Sequence, residues 1–427
     1  MSTHTGLLRF ITAGSVDDGK STLIGRLLYD SKSILADQLS AIELTSERRG
    51  LSQVDLSLLT DGLEAEREQG ITIDVAYRYF ATPRRKFIIG DAPGHEQYTR
   101  NMVTAASMAD VAVILIDARK GVLPQTRRHS YLARLVGIPR VVLAINKMDL
   151  VDYAREVFER IKSDYLAFAQ TLGFTEIQSI PMSALNGDNV VDTGEEMPWY
   201  QGPTLVDYLD HVPALHDASD RPLRFPVQRV SRVMLGNQAD EVATSAGEFR
   251  GYQGTVACGT VRRGDVVRVL PVGRCSKVRS ILTADGPLDE ARADSAIVVE
   301  LADDIDISRG DMLVSDRAPP RLTQDIEANL CWLAEDSLTP QRKYWIKHTS
   351  RTVRAIFKEL SYRVDVNTLT HLPTPDTLRM NDIARVRFRL QQPVFVDTYA
   401  ENRITGSFIV IDDTTNNTVG AGVIVSD

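Results

Sequence analysis

The fold of this chain follows from one short stretch, Gly14-Ser15-Val16-Asp17-Asp18-Gly19-Lys20-Ser21, which fits the pattern G-x-x-x-x-G-K-[ST]. The apolar run 7–13 precedes it and predicts a buried strand, and the helical apolar pattern of 22–29 follows it. This order of strand, loop and helix is typical of a loop that wraps backbone N–H groups around phosphate oxygens. A chance Gly-Lys turn at a helix start is the alternative, and the later motifs argue against it.

Each part of this phosphate loop has a predicted role. Gly14 and Gly19 let the backbone bend so that successive N–H groups point at phosphate oxygens. We expect Lys20 to reach the β and γ phosphates and the Ser21 hydroxyl to ligate Mg²⁺. The residues that we expect to touch the nucleotide here are Gly14, Ser15, Val16, Asp17, Asp18, Gly19, Lys20, Ser21 and Thr22.

Composition places the chain among ordinary globular proteins. Its 427 residues suffice for about three domains, and 43% of them are hydrophobic. No apolar run reaches the ~18 residues of a membrane span, and the polar N-terminus argues against a secretory signal. Three unclustered cysteines argue against a disulfide framework or a zinc site and fit a reducing cytoplasm. The formal net charge of −8 is a modest argument against a broad nucleic-acid surface.

Residues 1–215 alternate strand-like and helical patterns, which predicts an α/β domain with a mostly parallel sheet and helices on both faces. Ligands of such sheets bind at the carboxyl ends of the strands. The predicted strands are Leu8–Ala13, Lys86–Gly90, Val111–Asp117, Arg140–Asn146 and Gln178–Met182.

A long polar segment, 30–70, ends just before Thr72. A hydroxyl on a mobile segment can be drawn onto Mg²⁺ when a γ-phosphate is present, and we expect Thr72 to do this behind a phosphate loop. The alternative is a plain threonine that opens a strand at 73–79.

The run 87–96 joins an apolar strand to Asp91-Ala92-Pro93-Gly94-His95. Asp91 at the strand end can hold Mg²⁺ through water, as the second acidic element of phosphate-loop enzymes does. Gly94 can offer a backbone N–H to a γ-phosphate. We expect His95 to lie near an attacking water and to act in catalysis together with Lys20. A helix-capping surface histidine is the alternative for His95.

Base recognition is predicted for Asn146-Lys147-Met148-Asp149, which closes another apolar strand. An Asp149 carboxylate can accept two N–H bonds from guanine, and adenine offers no such pair. We expect Asn146 to brace neighbouring loops and to contact the base, and Lys147 to lie over its face. The tripeptide Ser183-Ala184-Leu185 follows the next strand and would supply a backbone N–H to the guanine O6.

After residue 215 the pattern changes to short alternating runs separated by Gly and Asp, which predicts antiparallel barrels. We place two β-barrel domains at 216–320 and 321–427, with tight turns at 262–265 and 308–311 inside the first. The alternating arginines of 385–389 are expected to form a solvated strand face rather than an anion site.

These elements, in this order, resemble translation-factor GTPases of the elongation factor Tu class. Within that class three runs look like the large, GTP-hydrolysing subunit of bacterial sulfate adenylyltransferase: 14–32, 91–102 and 121–130. One departure from elongation factor Tu is Asp18, where that protein has His; the position lies inside the loop and need not alter phosphate binding.

The resemblance implies that the chain uses GTP and Mg²⁺ and works in a heteromer. Its partner would be a smaller catalytic subunit that binds ATP and sulfate and makes adenosine 5′-phosphosulfate and pyrophosphate, while GTP hydrolysis drives this uphill step. Some relatives carry an adenylylsulfate kinase, and we expect none here because no second phosphate loop occurs. The same motifs leave open a translation factor that delivers aminoacyl-tRNA and a regulatory GTPase switch.

Overall fold

This computed structural model describes residues 6–34, 36–48, 54–59, 74–94, 98–214, 218–234, 248–339, 342–366, 368–373 and 377–425. The chain divides into two compact units: one of Met1–Ala214 with Asp365–Thr370, and one of Leu215–Val364 with His371–Asp427. The division into three domains at 215 and 320 stays a prediction.

A six-stranded sheet with the order β2-β3-β1-β4-β5-β6 is the centre of the first unit. All neighbours are parallel except β2, which runs antiparallel to β3. The predicted strands are confirmed to within two residues, but the strand expected at 73–79 spans 76–81. The strands are β1 (Leu7–Ala13), β2 (Ala76–Ala81), β3 (Lys86–Asp91), β4 (Val111–Asp117), β5 (Arg140–Asn146) and β6 (Glu176–Pro181).

The central strand β4 is buried along its whole length, as expected for a parallel strand covered on both faces. Leu23, Ile24 and Leu27 of the first helix share a hydrophobic core with Leu8 and Phe10 of β1. This packing fixes the start of the helix against the carboxyl end of the sheet. The helices are α1 (Lys20–Asp30), α2 (Ala36–Arg48), α3 (Thr99–Ser107), α4 (Pro124–Leu135), α5 (Arg155–Ala169) and α6 (Leu205–His211).

The second unit begins with an antiparallel sheet of order β7-β16-β11-β12-β15-β9-β8, to which β13 adds beside β12. The chain just after β9 returns to β7: the Arg224 N–H donates to the Cys258 carbonyl at 3.0 Å, and the Ala257 N–H donates to the Arg224 carbonyl at 2.8 Å. This bridge closes the sheet into a barrel. The strands are β7 (Arg224–Pro226), β8 (Arg229–Met234), β9 (Glu248–Thr255), β10 (Thr260–Arg262), β11 (Val266–Leu270), β12 (Cys275–Thr283), β13 (Gly286–Leu288), β14 (Glu290–Arg292), β15 (Ala296–Leu301) and β16 (Met312–Ser315).

Both predicted tight turns of this barrel are confirmed, and they share one geometry. The Arg262 N–H donates to Asp265 Oδ2, and the Ser308 N–H donates to Asp311 Oδ2, each at 2.8 Å. An aspartate that accepts a bond from the backbone three residues earlier closes a turn without help from the rest of the fold.

A second barrel follows, in which the order β18-β22-β23-β17-β21-β19 is closed by pairing of β18 with β19. Its outward arginines pair with acidic side chains of β17: Arg385 and Arg387 with Glu327, and Arg389 with Asp325. The fold predicted from the sequence, an α/β domain followed by two antiparallel barrels, is therefore confirmed. The strands are β17 (Arg321–Trp332), β18 (Lys343–His348), β19 (Arg351–Val364), β20 (His371–Leu372), β21 (Ile383–Val396), β22 (Ser407–Asp412) and β23 (Thr418–Ile424).

The three cysteines are free thiols; Cys258 and Cys331 are buried and Cys275 is exposed. In the part of the chain that the structure describes, none of the helices combines the length and apolar composition that crossing a bilayer requires.

Candidate nucleotide-binding site

The loop 14–19 connects β1 to α1, and Gly19 forms the N-terminal cap of that helix. Its φ of +93° lies in the left-handed region, which glycine adopts without strain. A Cβ at this position would also lie 2.4 Å from Asn146 Nδ2. Both the backbone conformation and the close contact therefore require glycine at position 19.

Lys20 is buried at the first position of α1, with its side chain curled back into the loop. Its Nζ donates to the carbonyls of Gly14 and Ser15, each at 3.0 Å. Burial lowers the pKa of Lys20, against the opposing effect of the Asp91 and Asp18 carboxylates. Because an anion favours the charged form of a buried ammonium, phosphate oxygens beside Lys20 would bind with extra free energy.

Asp91 ends β3 and is 2% exposed, and its Oδ1 accepts a hydrogen bond from Thr12 Oγ1 at 3.2 Å. A Cβ at Gly94 would lie 2.6 Å from Lys20 Nζ and 2.7 Å from the Gly14 carbonyl oxygen. The sheet thus brings the second motif against the phosphate loop, as the strand ends predict.

Two predicted residues, Thr72 and His95, lie outside the described residues, and their roles stay predictions. Ser21 and Thr22 lie in the first turn of α1, whose N-terminus faces the loop. Val16 is half-buried and Asp17 is exposed.

Asn146 joins the phosphate loop to the segment after β6. Its Nδ2 donates to the Asp18 carbonyl at 2.9 Å, and its Oδ1 accepts from the Ala184 N–H at 2.9 Å. The side chain is 2% exposed, so both contacts are made away from water. One amide therefore fixes the relative positions of two loops that the sequence assigns to one nucleotide.

Lys147 has a left-handed backbone with φ +63°, which directs its side chain across the site. Its Nζ donates to the Asp17 carbonyl and lies 3.1 Å from Asp117 Oδ2. Asp117 also accepts hydrogen bonds from Arg119 Nε at 3.0 Å and Nη2 at 2.6 Å. Burial alone would raise the pKa of Asp117, but the bonds from Arg119 and Lys147 outweigh it and hold the pKa below its usual range.

Asp149 lies in a short turn, 148–151, directly after β5. Its Oδ1 is buried and has no hydrogen-bond partner among the described residues. Buried polar atoms almost always have a partner, so this oxygen is suited to accept an N–H from a ligand.

Two of the three backbone N–H groups of the predicted tripeptide are already engaged. The Ser183 N–H donates to the Asp188 carbonyl at 3.2 Å, and the Ala184 N–H donates to Asn146. In the described part of the chain the Leu185 N–H has no partner. A contact to a base oxygen therefore falls most readily to Leu185.

Two supporting residues, Asp117 and Arg26, are missing from the predicted site. Asp117 has the signal that identified Asp91, a carboxylate at the end of a buried strand. Arg26 of α1 donates through Nε to the Ala184 carbonyl at 3.3 Å and through Nη2 to the Leu185 carbonyl. No local sequence pattern identifies Arg26 as part of the site, because its hydrogen-bond partners lie 158 and 159 residues further along the chain.

Asp18 is buried inside the loop, where its Oδ2 accepts the Ser15 N–H at 2.6 Å. Its Oδ1 has no partner among the residues that the structure describes. Burial raises the pKa of Asp18 to about 6, although the Ser15 bond and the Lys20 charge oppose this effect. The side chain therefore braces the loop from within.

Comparisons with known proteins agree with this geometry. The family model for the elongation factor Tu GTP binding domain matches residues 5–216, so the first unit is a GTP-binding domain of that type. The model described as GTP-eEF1A C-terminal domain-like matches residues 325–425.

Similar curated proteins cover almost the whole chain. Sulfate adenylyltransferase subunit 1 of Cellvibrio japonicus is 54% identical over 98% of this chain and 86% of that protein. The bifunctional enzyme CysN/CysC of Mycobacterium tuberculosis is 53% identical over 99% of this chain and 68% of that protein. A structure of Sup35 complexed with GDP aligns over 99% of this chain and 94% of that chain at 24% identity and a TM-score of 0.43.

Proposed function

The chain belongs to the family of sulfate adenylyltransferase subunit 1, and from this premise we propose that it is the GTP-hydrolysing subunit of a heteromeric sulfate adenylyltransferase. Hydrolysis of GTP by this chain drives the formation of adenosine 5′-phosphosulfate and pyrophosphate from ATP and sulfate. The name "subunit 1" of the relatives implies at least one further subunit. We assign binding of ATP and sulfate to a smaller catalytic subunit.

The observation that carries the choice of GTP is the buried Oδ1 of Asp149, which has no hydrogen-bond partner in the described part of the chain. Guanine offers two adjacent N–H donors to such a carboxylate, and adenine would leave it unpaired in a site removed from water. Asn146 contacts the base and holds the loops around it, and the Lys147 stem covers one face of the ring. The Leu185 N–H donates to the guanine O6.

In the proposed complex the phosphates bind in the loop 14–22, which ends in the first turn of α1. Its backbone N–H groups and the Lys20 ammonium stabilise the charge that develops on the transferred phosphoryl group. Gly94 donates its N–H to the γ-phosphate, next to Lys20. His95 positions the attacking water. These groups stabilise the transition state by position and charge, without a covalent intermediate on the protein.

Hydroxyl and carboxylate oxygens are the ligands that Mg²⁺ prefers, and Ser21, Thr72 and Asp91 supply them. The described members of this set, Ser21 in α1 and Asp91 at the end of β3, both border the phosphate loop. When bound, the ion would neutralise charge on the β and γ phosphates. The hydrogen bond that Thr12 Oγ1 donates to Asp91 Oδ1 would help to hold this carboxylate in place.

The function is tested by purifying the chain together with the candidate small subunit and measuring pyrophosphate release from ATP and sulfate, with and without GTP. We expect pyrophosphate release to depend strongly on GTP, and the GTPase rate to rise when ATP and sulfate are added. GTP hydrolysis with no effect on pyrophosphate release would overturn the proposal and favour a translation factor or a regulatory switch.

A further inference from the structure

We propose that Gln125 is a positioning residue for the GTP-bound state: its side-chain amide anchors the main chain at Gly94, so that the Gly94 N–H stays beside the γ-phosphate. The inference rests on the proposed function, because the contact between Gly94 and the γ-phosphate is part of that proposal. Gln125 acts through Gly94 and is not itself assigned a contact with the nucleotide.

The central observation is a hydrogen bond from Gln125 Nε2 to the Gly94 carbonyl at 3.1 Å. Gly94 has no side chain to hold its backbone dihedral angles, so its main chain is intrinsically free to turn. It nevertheless lies against the phosphate loop, since a Cβ there would be 2.6 Å from Lys20 Nζ. A bond from a fixed donor is a means of keeping such a glycine in place.

The donor belongs to a rigid element. Gln125 is in the first turn of α4, which starts with Pro124 and is capped by a hydrogen bond from the Leu123 N–H to Thr126 Oγ1 at 3.3 Å. Further along the helix, the Ser130 and Tyr165 hydroxyls form a buried bond of 2.9 Å, which ties α4 to α5. The backbone that carries the Gln125 amide is therefore held in place by contacts within α4 and between α4 and α5.

His129 shows that this face of α4 is directed toward the phosphate loop. His129 follows Gln125 by four positions, one helical turn, and is 3% exposed. Burial, together with the positive charges of Lys20 and Arg128, lowers the pKa of His129 to about 3. The imidazole is therefore neutral at pH 7 and places no charge beside the Gln125 amide.

The proposal predicts that losing the donor weakens GTP binding selectively, because only GTP has the γ-phosphate that Gly94 contacts. In the complete complex with the small subunit, affinities for GDP and for a non-hydrolysable GTP analogue are measured for Gln125→Met and Gln125→Ala. We expect both variants to bind the analogue about five- to tenfold more weakly, the effect of one lost hydrogen bond, with GDP affinity changed less than about twofold. GTP turnover at low substrate should fall by the same factor.

The matched control is Gln170→Met, at an exposed position directly after α5, which should change neither affinity. Equal losses for GDP and the analogue, or no loss for either, would overturn the role of Gln125. A loss in the Ala variant that the Met variant lacks would also overturn it, because packing rather than the donor would then be responsible. If the unmodified chain binds no guanine nucleotide, the proposed function fails first, and the inference fails with it.

Discussion

The Arg224 guanidinium and the Asp397 carboxylate form a two-pronged ion pair in the second unit, with Nε to Oδ2 and Nη2 to Oδ1 both at 2.9 Å. Both side chains are largely buried, at 6% and 12% exposure. Arg224 belongs to the strand that closes the first barrel, and Asp397 follows β21 of the second barrel, where it also accepts a bond from Thr405 Oγ1. The pair therefore joins the two barrels.

Removing one member of this pair leaves the other as a buried charge without a partner. We expect Asp397→Ala to lower the free energy of unfolding of the second unit by about 3 to 5 kcal/mol. The control is Asp325→Ala, which breaks a half-exposed ion pair with Arg389 and should cost less than about 1 kcal/mol. Denaturant unfolding of both variants measures the difference, and equal losses would contradict a joining role for the Arg224–Asp397 pair.

The proposed base contact makes Asp149 the residue that selects guanine. Asp149→Asn replaces an acceptor by a donor, so the variant should bind xanthosine triphosphate in preference to GTP, with GTP affinity reduced about a hundredfold. Competition between the two nucleotides measures the switch. Asp152→Asn changes the same charge at an exposed position nearby and should leave the preference for GTP intact. An unchanged preference in the Asp149 variant would refute the base contact.

Asp18 should make the stability of the nucleotide-free chain depend on pH. Its pKa in the fold, about 6, lies above its ordinary value of 3.8, so the fold favours the protonated form. The folded state then binds more protons between these values, and stability falls as pH rises through this window.

Asp18→Asn keeps an acceptor for the Ser15 N–H and removes the buried charge. We expect the variant to be more stable than the parent chain at pH 7.5 by about 1 to 3 kcal/mol, and the advantage to shrink toward pH 4. Asp17→Asn, at the exposed neighbouring position, controls for removal of a charge from the loop. Thermal melting of the nucleotide-free proteins across this range gives the comparison; an advantage that does not vary with pH would contradict the cause.

Arg26 should support base binding indirectly, because it holds the carbonyls of Ala184 and Leu185. Arg26→Ala should weaken GDP and GTP equally, by about three- to tenfold, as the segment 183–185 loses two hydrogen bonds. Arg134→Ala removes a similar bond, from Arg134 Nε to the Leu172 carbonyl at 2.9 Å, and should leave nucleotide affinity unchanged. Fluorescent-nucleotide titration distinguishes the two, and an equal effect from both would indicate general destabilisation.

Substitutions of Lys20 and His95 should impair different properties, nucleotide binding in the first case and the rate of hydrolysis in the second. Lys20→Ala removes the buried cation of the loop and should abolish nucleotide binding or turnover. His95→Ala should keep GTP affinity and slow hydrolysis by about a hundredfold, the usual contribution of a group that handles the proton or positions water. Binding and single-turnover hydrolysis, measured separately, test the assignment; a parallel loss of both in the His95 variant would reject it.

The sequence predicts well those features whose residues are neighbours along the chain. The phosphate loop is contiguous in sequence, and β4 is a continuous apolar run, so neither depends on knowledge of distant contacts. Arg26 and the bridge between Arg224 and Cys258 involve partners far away in sequence, and no periodicity reveals them. The backbone N–H groups of Ser183 and Ala184 are a further example of what the sequence does not reveal. A motif predicts which residues lie near a base, but not which of their N–H groups already donate to other atoms of the protein.

The thiol of Cys258 in the second unit is protected from alkylating reagents by its burial. Its Sγ donates to the Pro222 carbonyl at 3.0 Å and accepts from Asn402 Nδ2 at 2.9 Å, so it lies where the bridge that closes the first barrel meets the second barrel. Burial raises the pKa of this thiol, which further suppresses its reactivity. We therefore expect an alkylating reagent to modify the exposed Cys275 before the buried Cys258.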